Sequence, residues 1–180
     1  MAKIQNRAPC EPSELTIAAF PVNHWGHRVG RRRKERGYNG YLISGHGRRI
    51  VFVGDTAHML DFSRQVPHHT EGEGSPERDP QARGEAVDLC VMPIGCYTMS
   101  HNHASPEETW DMFHQVQGRY LLAHHWRTFM LGPEPDFEPM ERLLAASGPD
   151  SHRIVCKEPG GTFVLPAVPV PASAKAEPAF

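Results

Sequence analysis

The sequence predicts an α/β protein built on a mixed β-sheet with helices packed against it. Short apolar runs rich in β-branched residues recur along the chain, and most of them stop at a glycine or a histidine. Two later segments carry the start and stop signals of amphipathic helices. Strands come first, and strand and helix then alternate, which is the order expected of a mixed sheet. The length of 180 residues suggests one domain.

The first half of the chain is predicted to be rich in strands. Residues 14–22 are apolar and β-prone, and residues 40–45 and 48–54 form two further apolar runs. The glycines within residues 45–47 favour a hairpin turn between these two strands. The next segment, residues 56–66, is predicted to form a short helix.

The helix predicted over residues 104–117 has an explicit start signal. Ser105 is placed at the N-cap, Pro106 is the first helical residue, and Glu108 completes a capping box. The other predicted elements are strands over residues 87–95 and 119–126, a helix over residues 137–148 that ends at Gly148, and one or two strands over residues 151–166.

Composition and charge exclude several classes of function. The formal net charge is -2, whereas a bulk nucleic-acid binder is usually basic, so we expect no nucleic-acid partner. The chain has no run of about 18 apolar residues, so no transmembrane segment is predicted. The N-terminus lacks the apolar core of a signal peptide, and the four cysteines form no CxxC pair. Reduced thiols and a cytoplasmic localisation are therefore predicted.

One domain is predicted between two less structured ends. Residues 1–13 form an N-terminal extension, residues 14–165 form the domain, and residues 166–180 form a tail rich in Pro and Ala that is predicted to be disordered. Within the domain, residues 67–86 are polar and rich in Gly and Pro, which predicts a long surface loop. A basic loop beginning at Arg28 is either a solvated face or a contact for a phosphate or an anionic membrane surface.

Metal-capable side chains follow four of the predicted strands at the point where each strand ends. They are His24 after the first strand, Asp55 after the third, His101 and His103 beyond Tyr97 after the fourth, and His124 and His125 at the end of the fifth. In open α/β sheets, ligands bind in the crevice outside the carboxyl ends of the strands. Imidazole and carboxylate groups that converge there would suit zinc or a similar ion.

Each of these residues also has a plain structural interpretation. Asp55 could cap the helix predicted to follow it, as aspartate often does. His24 could stack on Trp25 at the strand end. His103 could simply be solvated ahead of the N-cap, and His124 could be a satisfied core histidine. The recurrence of such residues at four strand ends favours a joint metal site over four separate coincidences.

The chain contains five segments that together resemble a known family: FPVNHW, VFVGDT, DLCVMPIGCY, HASPEE and HHWRTFML. They are similar in order and spacing to the metallo-β-lactamase fold. More narrowly, they resemble the branch that includes N-acylphosphatidylethanolamine-hydrolysing phospholipase D and related bacterial hydrolases. The resemblance covers about residues 14–165. It implies the C-terminal half of an αββα sandwich, because the family's upstream motif H-x-H-x-D-H is absent from this chain.

The resemblance implies a metal-dependent hydrolase of an ester or a phosphodiester, phospholipid-like substrates included. Such enzymes hold two zinc ions and use a bridging hydroxide, because bound zinc lowers the pKa of water to about 7. His24 would be a ligand of the first metal, His125 a ligand of the second, and Asp55 the catalytic carboxylate that bridges both. The residues predicted to contact the substrate are Tyr97, Arg28 and His103, of which His103 is also predicted to be catalytic.

The absent motif limits what the resemblance implies for this chain by itself. The motif would supply about half of the metal ligands, so we expect zinc binding to be weak or incomplete. An apolar sheet face would be left exposed, so a homo-oligomer or a separate N-terminal half is predicted as a partner. Two alternatives stay open. One is a catalytically inactive remnant or binding module that keeps the half-fold, and the other is a single structural metal site on His24, Asp55 and His125.

Overall fold

The computed structural model describes residues 15–24, 38–67, 86–130 and 132–167. Four features predicted from the sequence lie wholly or mostly outside these residues. They are the extension over residues 1–13, Arg28 with its basic loop, the polar loop over residues 67–86, and the tail over residues 166–180. The predictions for these features stay predictions.

A mixed six-stranded sheet with the strand order β1-β2-β3-β4-β5-β6 forms the centre of the described structure. The strands are β1 (Thr16–Pro21), β2 (Asn39–Gly45), β3 (Arg48–Phe52), β4 (Leu89–Pro93), β5 (Tyr120–His124) and β6 (Ile154–Val155). The first three strands pair antiparallel, whereas β3, β4, β5 and β6 pair parallel. The predicted α/β class with a mixed sheet is therefore confirmed. Parallel pairing also brings the carboxyl ends of β3, β4 and β5 to one edge of the sheet.

The hairpin between β2 and β3 has the predicted position. His46 and Gly47 form its two-residue loop, with φ values of 52° and 67°. Two successive positive φ angles are the signature of the turn that matches the twist of antiparallel strands. The glycine reduces the strain of this conformation, since it lacks a β-carbon.

Three α-helices accompany the sheet in the described part of the chain: α1 (Phe62–Gln65), α2 (Pro106–Gln115) and α3 (Glu138–Ser147). The capping box of α2 is present, since Ser105 Oγ accepts from the Glu108 amide at 3.2 Å and the Glu108 carboxylate accepts from the Ser105 amide at 2.8 Å. The end of α3 at Gly148, with φ of 50°, is also as predicted. Among the described residues, no helix is long and apolar enough to cross a membrane.

The helix predicted over residues 56–66 is wrong for most of its length, because only α1 forms there. The Phe62 amide, which would bond within that helix, donates instead to Gln115 Oε1 at 2.7 Å. The Ala57 amide lies in the first turn, where a helix leaves its amides free, and it donates to Asn23 O at 2.6 Å. The cap interpretation of Asp55 is also wrong, since α1 begins seven residues later, at Phe62.

One or two strands are predicted over residues 151–166, but only the two residues of β6 are in a strand there. A short 3-10 helix (Gly148–Arg153) takes the residues before it. After β6, Cys156 adopts a positive φ of 52°, which turns the chain away from the extended conformation that a strand needs. The remaining residues of the predicted segment form no strand among those that the structure describes.

The two faces of the sheet differ in how well they are covered. On one face, the cross-strand neighbours Leu42, Val51, Cys90 and Leu121 are all buried in the main core with the helices. On the other face, Ile17 is 61% exposed, Tyr41 is 40% exposed, and its cross-strand neighbour Phe52 is 42% exposed. The predicted exposure of apolar side chains on one sheet face is present in the described residues.

The capping box of α2 should contribute measurably to the free energy of unfolding. We expect Ser105→Ala to destabilise the fold by about 1 kcal/mol, because the Glu108 amide loses its acceptor. Urea unfolding measures this change. Ser105→Asp is the matched control, since aspartate caps as well as serine does. Equal midpoints for wild type and Ser105→Ala would contradict the role of the cap.

Candidate metal centre

Three side chains from three different strand ends meet at the edge where the carboxyl ends of β3, β4 and β5 lie. Asp55 follows β3, His103 follows β4 by a short loop, and His125 directly follows β5. One potential ligand atom from each residue lies within 4.8 Å of the other two. Asp55 Oδ1 lies 3.6 Å from His125 Nε2. The parallel sheet therefore assembles this cluster from residues far apart in the sequence.

His103 forms the buried wall of the cluster. Its side chain is buried, and its ring stacks on the ring of His125 at a centroid distance of 4.8 Å and an interplanar angle of 21°. Burial lowers the pKa of His103, and the neighbouring His125 lowers it further, while Asp55 acts in the opposite direction. The net shift favours the neutral imidazole, which is the form that binds a metal ion.

The backbone at the end of β5 is strained where it presents His125. His125 has a φ of 60°, a left-handed conformation that costs a non-glycine residue roughly 1–2 kcal/mol. The preceding carbonyl of His124 accepts from the Ile94 amide at 3.1 Å, which fixes the strand end against β4. Gly95 completes this arrangement, because a β-carbon there would collide with the carbonyl oxygen of His125. Strain of this kind is often concentrated at functional sites.

His24 lies beside the cluster but outside the set of three. Its ring centroid is 5.1 Å from that of His103. His24 Nδ1 is 2.9 Å from the carbonyl oxygen of Asn102. Because a carbonyl only accepts, Nδ1 carries a proton, and Nε2 is the ring nitrogen left as a potential metal ligand. Metal-binding histidines are typically oriented in this way.

The three clustered residues fit a metal ion. Tetrahedral zinc bonds of about 2.0–2.2 Å place two ligand atoms of one ion about 3.3–3.6 Å apart. The pair Asp55 Oδ1 and His125 Nε2 at 3.6 Å is already close to this separation, and the rest of the cluster, within 4.8 Å, would contract by about 1 Å. The Nδ1 atoms of His103 and His125 are buried and have no hydrogen-bond partner among the described residues. Two imidazoles and one carboxylate form a donor set that suits zinc.

Tyr97 and His124 lie near the cluster with other contacts. The Tyr97 hydroxyl donates to Glu138 Oε1 at 2.7 Å, and Arg142 lies over its ring at 4.4 Å. Burial and the hydrogen bond to Glu138 raise the pKa of Tyr97 to about 12. His124 stacks on Phe52 at 5.6 Å, and burial lowers its pKa to about 4. Neither side chain belongs to the cluster of three.

A small, open cleft of about 20 Å³ lies beside His125. Cys96 and Glu134 lie in its wall, and the carboxylate of Glu134 accepts from the Thr98 amide at 2.8 Å. Phe129 and Met130 also line the cleft, although they are 74% and 88% exposed. The cleft therefore has His125 on one side and the apolar, exposed side chains of Phe129 and Met130 on another.

Sequence reasoning missed three residues that support this site. Thr56, Asn102 and Gly95 hold backbone segments rather than offer ligands, and nothing in their residue types marks that role. Only Thr56 could have been noticed in the sequence, because it directly follows the candidate ligand Asp55 in the segment GDT.

An α/β sheet with histidine and aspartate side chains gathered at the carboxyl ends of its strands defines a candidate metalloprotein. Residues 1–126 match the family model described as the beta-lactamase superfamily domain. The chain therefore belongs to the beta-lactamase superfamily, and the predicted resemblance is confirmed.

Two relatives and one solved structure give the extent of the similarity. An uncharacterized protein of Mycobacterium tuberculosis is 30% identical over 153 residues, which are 82% of this chain and 37% of that protein. The mitochondrial N-acyl-phosphatidylethanolamine-hydrolyzing phospholipase D of Saccharomyces cerevisiae is 28% identical over 153 residues, 81% of this chain and 30% of that protein. A novel metallo hydrolase from Ignicoccus hospitalis superposes with a TM-score of 0.46 at 19% identity, covering 74% of this chain and 46% of that one. The chain spans about a third of the length of the first two relatives.

One substitution can show whether the Tyr97 hydroxyl stabilises the fold or contacts the substrate. We expect Tyr97→Phe to lower the free energy of unfolding by about 1 kcal/mol, because the bond to Glu138 is lost. The raised pKa of Tyr97 makes the advantage of the wild type greatest below pH 10 and smaller as the pH rises towards about 12. Urea unfolding at neutral pH and at about pH 11 measures both effects. Unchanged stability with reduced hydrolysis would instead support the predicted substrate contact.

Proposed function

We propose that the chain carries the metal-binding edge of a hydrolase that acts on an ester or a phosphodiester. The observation that carries the proposal is the cluster of Asp55, His103 and His125, whose potential ligand atoms lie within 4.8 Å of one another. Membership of the beta-lactamase superfamily supports it. We propose these three residues as the ligands of one ion. The set inferred from the resemblance contains His24 where this set contains His103.

The side chains of the cluster would each have a distinct role. A bound zinc ion would supply Lewis acidity and lower the pKa of a water molecule to about 7. His103, neutral and largely shielded from solvent, would hold its nitrogen lone pair available at neutral pH. Asp55 would place a negative charge 3.6 Å from His125. Its carboxylate is 37% exposed, so it can also accept a hydrogen bond or a proton from an attacking water.

The cleft beside His125 suggests the shape of the substrate. Phe129 and Met130 would contact an apolar group, while the ester to be cleaved would lie towards His125. Arg127 in the same wall stacks over Phe137 at 4.2 Å and lies 3.8 Å from Glu158. An amphiphilic ester would satisfy both parts of the cleft, and the name of the yeast relative describes hydrolysis of a phospholipid of this kind.

A second ion remains a prediction that depends on further ligands. His24 would contribute through Nε2, since its Nδ1 bonds to Asn102 O and its ring lies beside that of His103. The predicted bridging role of Asp55, and a partner that adds ligands, rest on the resemblance. Hydrolysis by the whole family domain is therefore proposed for this chain together with such a partner, whether a second copy or a separate N-terminal half.

Zinc binding tests the proposed ligands directly. We expect the purified 180-residue chain to bind zinc, and we expect Asp55→Asn and His125→Ala to weaken that binding. The loss should exceed the roughly 10–100-fold that removal of an outer-shell partner causes. Competition with a chromophoric chelator measures the affinity, and hydrolysis of bis-p-nitrophenyl phosphate measures the activity.

His152→Ala is the matched control for the histidine variant. His152 is exposed and precedes β6, at the opposite edge of the sheet from the cluster. This variant should keep the zinc affinity of the wild type. Because hydrolysis is proposed only for the chain with its partner, zinc binding decides the assignment. No zinc binding by the wild type would leave the catalytically inactive binding module as the better assignment.

A further inference from the structure

Three backbone segments that carry the histidine and aspartate side chains meet at Thr56. The segments are residues 23–24 after β1, residues 55–57 after β3, and residues 102–104 after β4. Thr56 is fully buried, with 0% of its surface exposed. A buried hydroxyl at such a junction needs partners, and each of its partners here is a backbone group.

The Thr56 hydroxyl connects the first two segments. Its Oγ1 accepts from the Asn23 amide at 3.1 Å and donates to the Ala57 carbonyl at 2.9 Å. The Asn23 carbonyl, 3.4 Å from Oγ1, is an alternative acceptor. The same carbonyl accepts from the Ala57 amide at 2.6 Å. Asn23 is thereby held through both of its backbone polar groups, one residue before His24.

The third segment closes the arrangement. The Thr56 carbonyl accepts from the Ala104 amide at 2.8 Å, directly after His103 in the chain. His24 Nδ1 donates to the Asn102 carbonyl at 2.9 Å, directly before His103. Each of the three segments is therefore bonded to both of the others. This closed set of hydrogen bonds holds the backbone at His24 and His103 relative to Asp55.

We propose that Thr56 is a positioning residue, whose hydroxyl fixes the segment of His24 relative to Asp55 and His103. Removal of the hydroxyl leaves the Asn23 amide without its acceptor and loosens the end of β1 at this point. The segment of His24 would then be held only by the bond from the Ala57 amide to Asn23 O and by the bond from His24 to Asn102 O, while the sheet and helices persist. The consequence for zinc rests on the proposed function, whereas the consequence for the backbone does not.

Thr56→Val tests the proposal, because valine keeps the shape of threonine and lacks its hydroxyl. Thr56→Ser is the matched control that keeps the hydroxyl. Amide hydrogen exchange measured by NMR should become roughly tenfold faster at Asn23 and Ala57 in Thr56→Val, as for the loss of one net hydrogen bond. The amides of Asp88 and Tyr120, which bond at the opposite edge of the sheet, serve as internal references.

Zinc affinity is the second readout for the same variants. We expect Thr56→Val to bind zinc roughly 10–100-fold more weakly than wild type, and Thr56→Ser to bind as wild type does. Unchanged exchange at Asn23, or equal acceleration at the reference amides, would overturn the proposal. So would local acceleration with an unchanged zinc affinity. If the wild type binds no zinc but the local acceleration occurs, the proposed function fails while the positioning of the His24 segment stands.

Discussion

Parallel pairing of β3, β4 and β5 is the constraint on which the candidate site depends. Because these three strands run in the same direction, the residues that follow them leave the sheet at one edge. Asp55, His103 and His125 are separated by up to 70 positions in the sequence, yet their potential ligand atoms lie within 4.8 Å of one another. An antiparallel arrangement of the same strands would send neighbouring ends to opposite edges and disperse the cluster.

The same edge concentrates features that act against stability. His125 and Cys96 both adopt left-handed backbone conformations at strand ends, with φ of 60° and 64°. His103 is buried with an Nδ1 that lacks a partner among the described residues. Such costs persist where the surrounding structure over-determines the conformation. Here the surrounding constraints are the bond between Ile94 and His124, the close approach at Gly95, and the bonds around Thr56.

The exposed sheet face and the ligands that the resemblance predicts to be absent would have one explanation in the proposed partner. Ile17, Tyr41 and Phe52 expose apolar surface that a second layer would normally bury. The chain spans about a third of the length of its relatives. A partner that covers this face would also lie close to His124, which stacks on Phe52 next to His125. Burial of the apolar face and completion of the site would then be the same event.

Local sequence determined those features that depend on neighbouring residues. The capping box of Ser105 and Glu108, the hairpin at residues 46–47 and the end of α3 were predictable because their signals lie within a few positions. The recurrence of metal-capable residues at strand ends identified the edge and most of the cluster. Tertiary structure decided the rest. It suppressed most of the predicted helix over residues 56–66, where the Gln115 side chain takes the Phe62 amide that the helix would have used. It also placed His103, rather than His24, with Asp55 and His125, since that choice depends on how the loops after β1 and β4 are held together through Thr56.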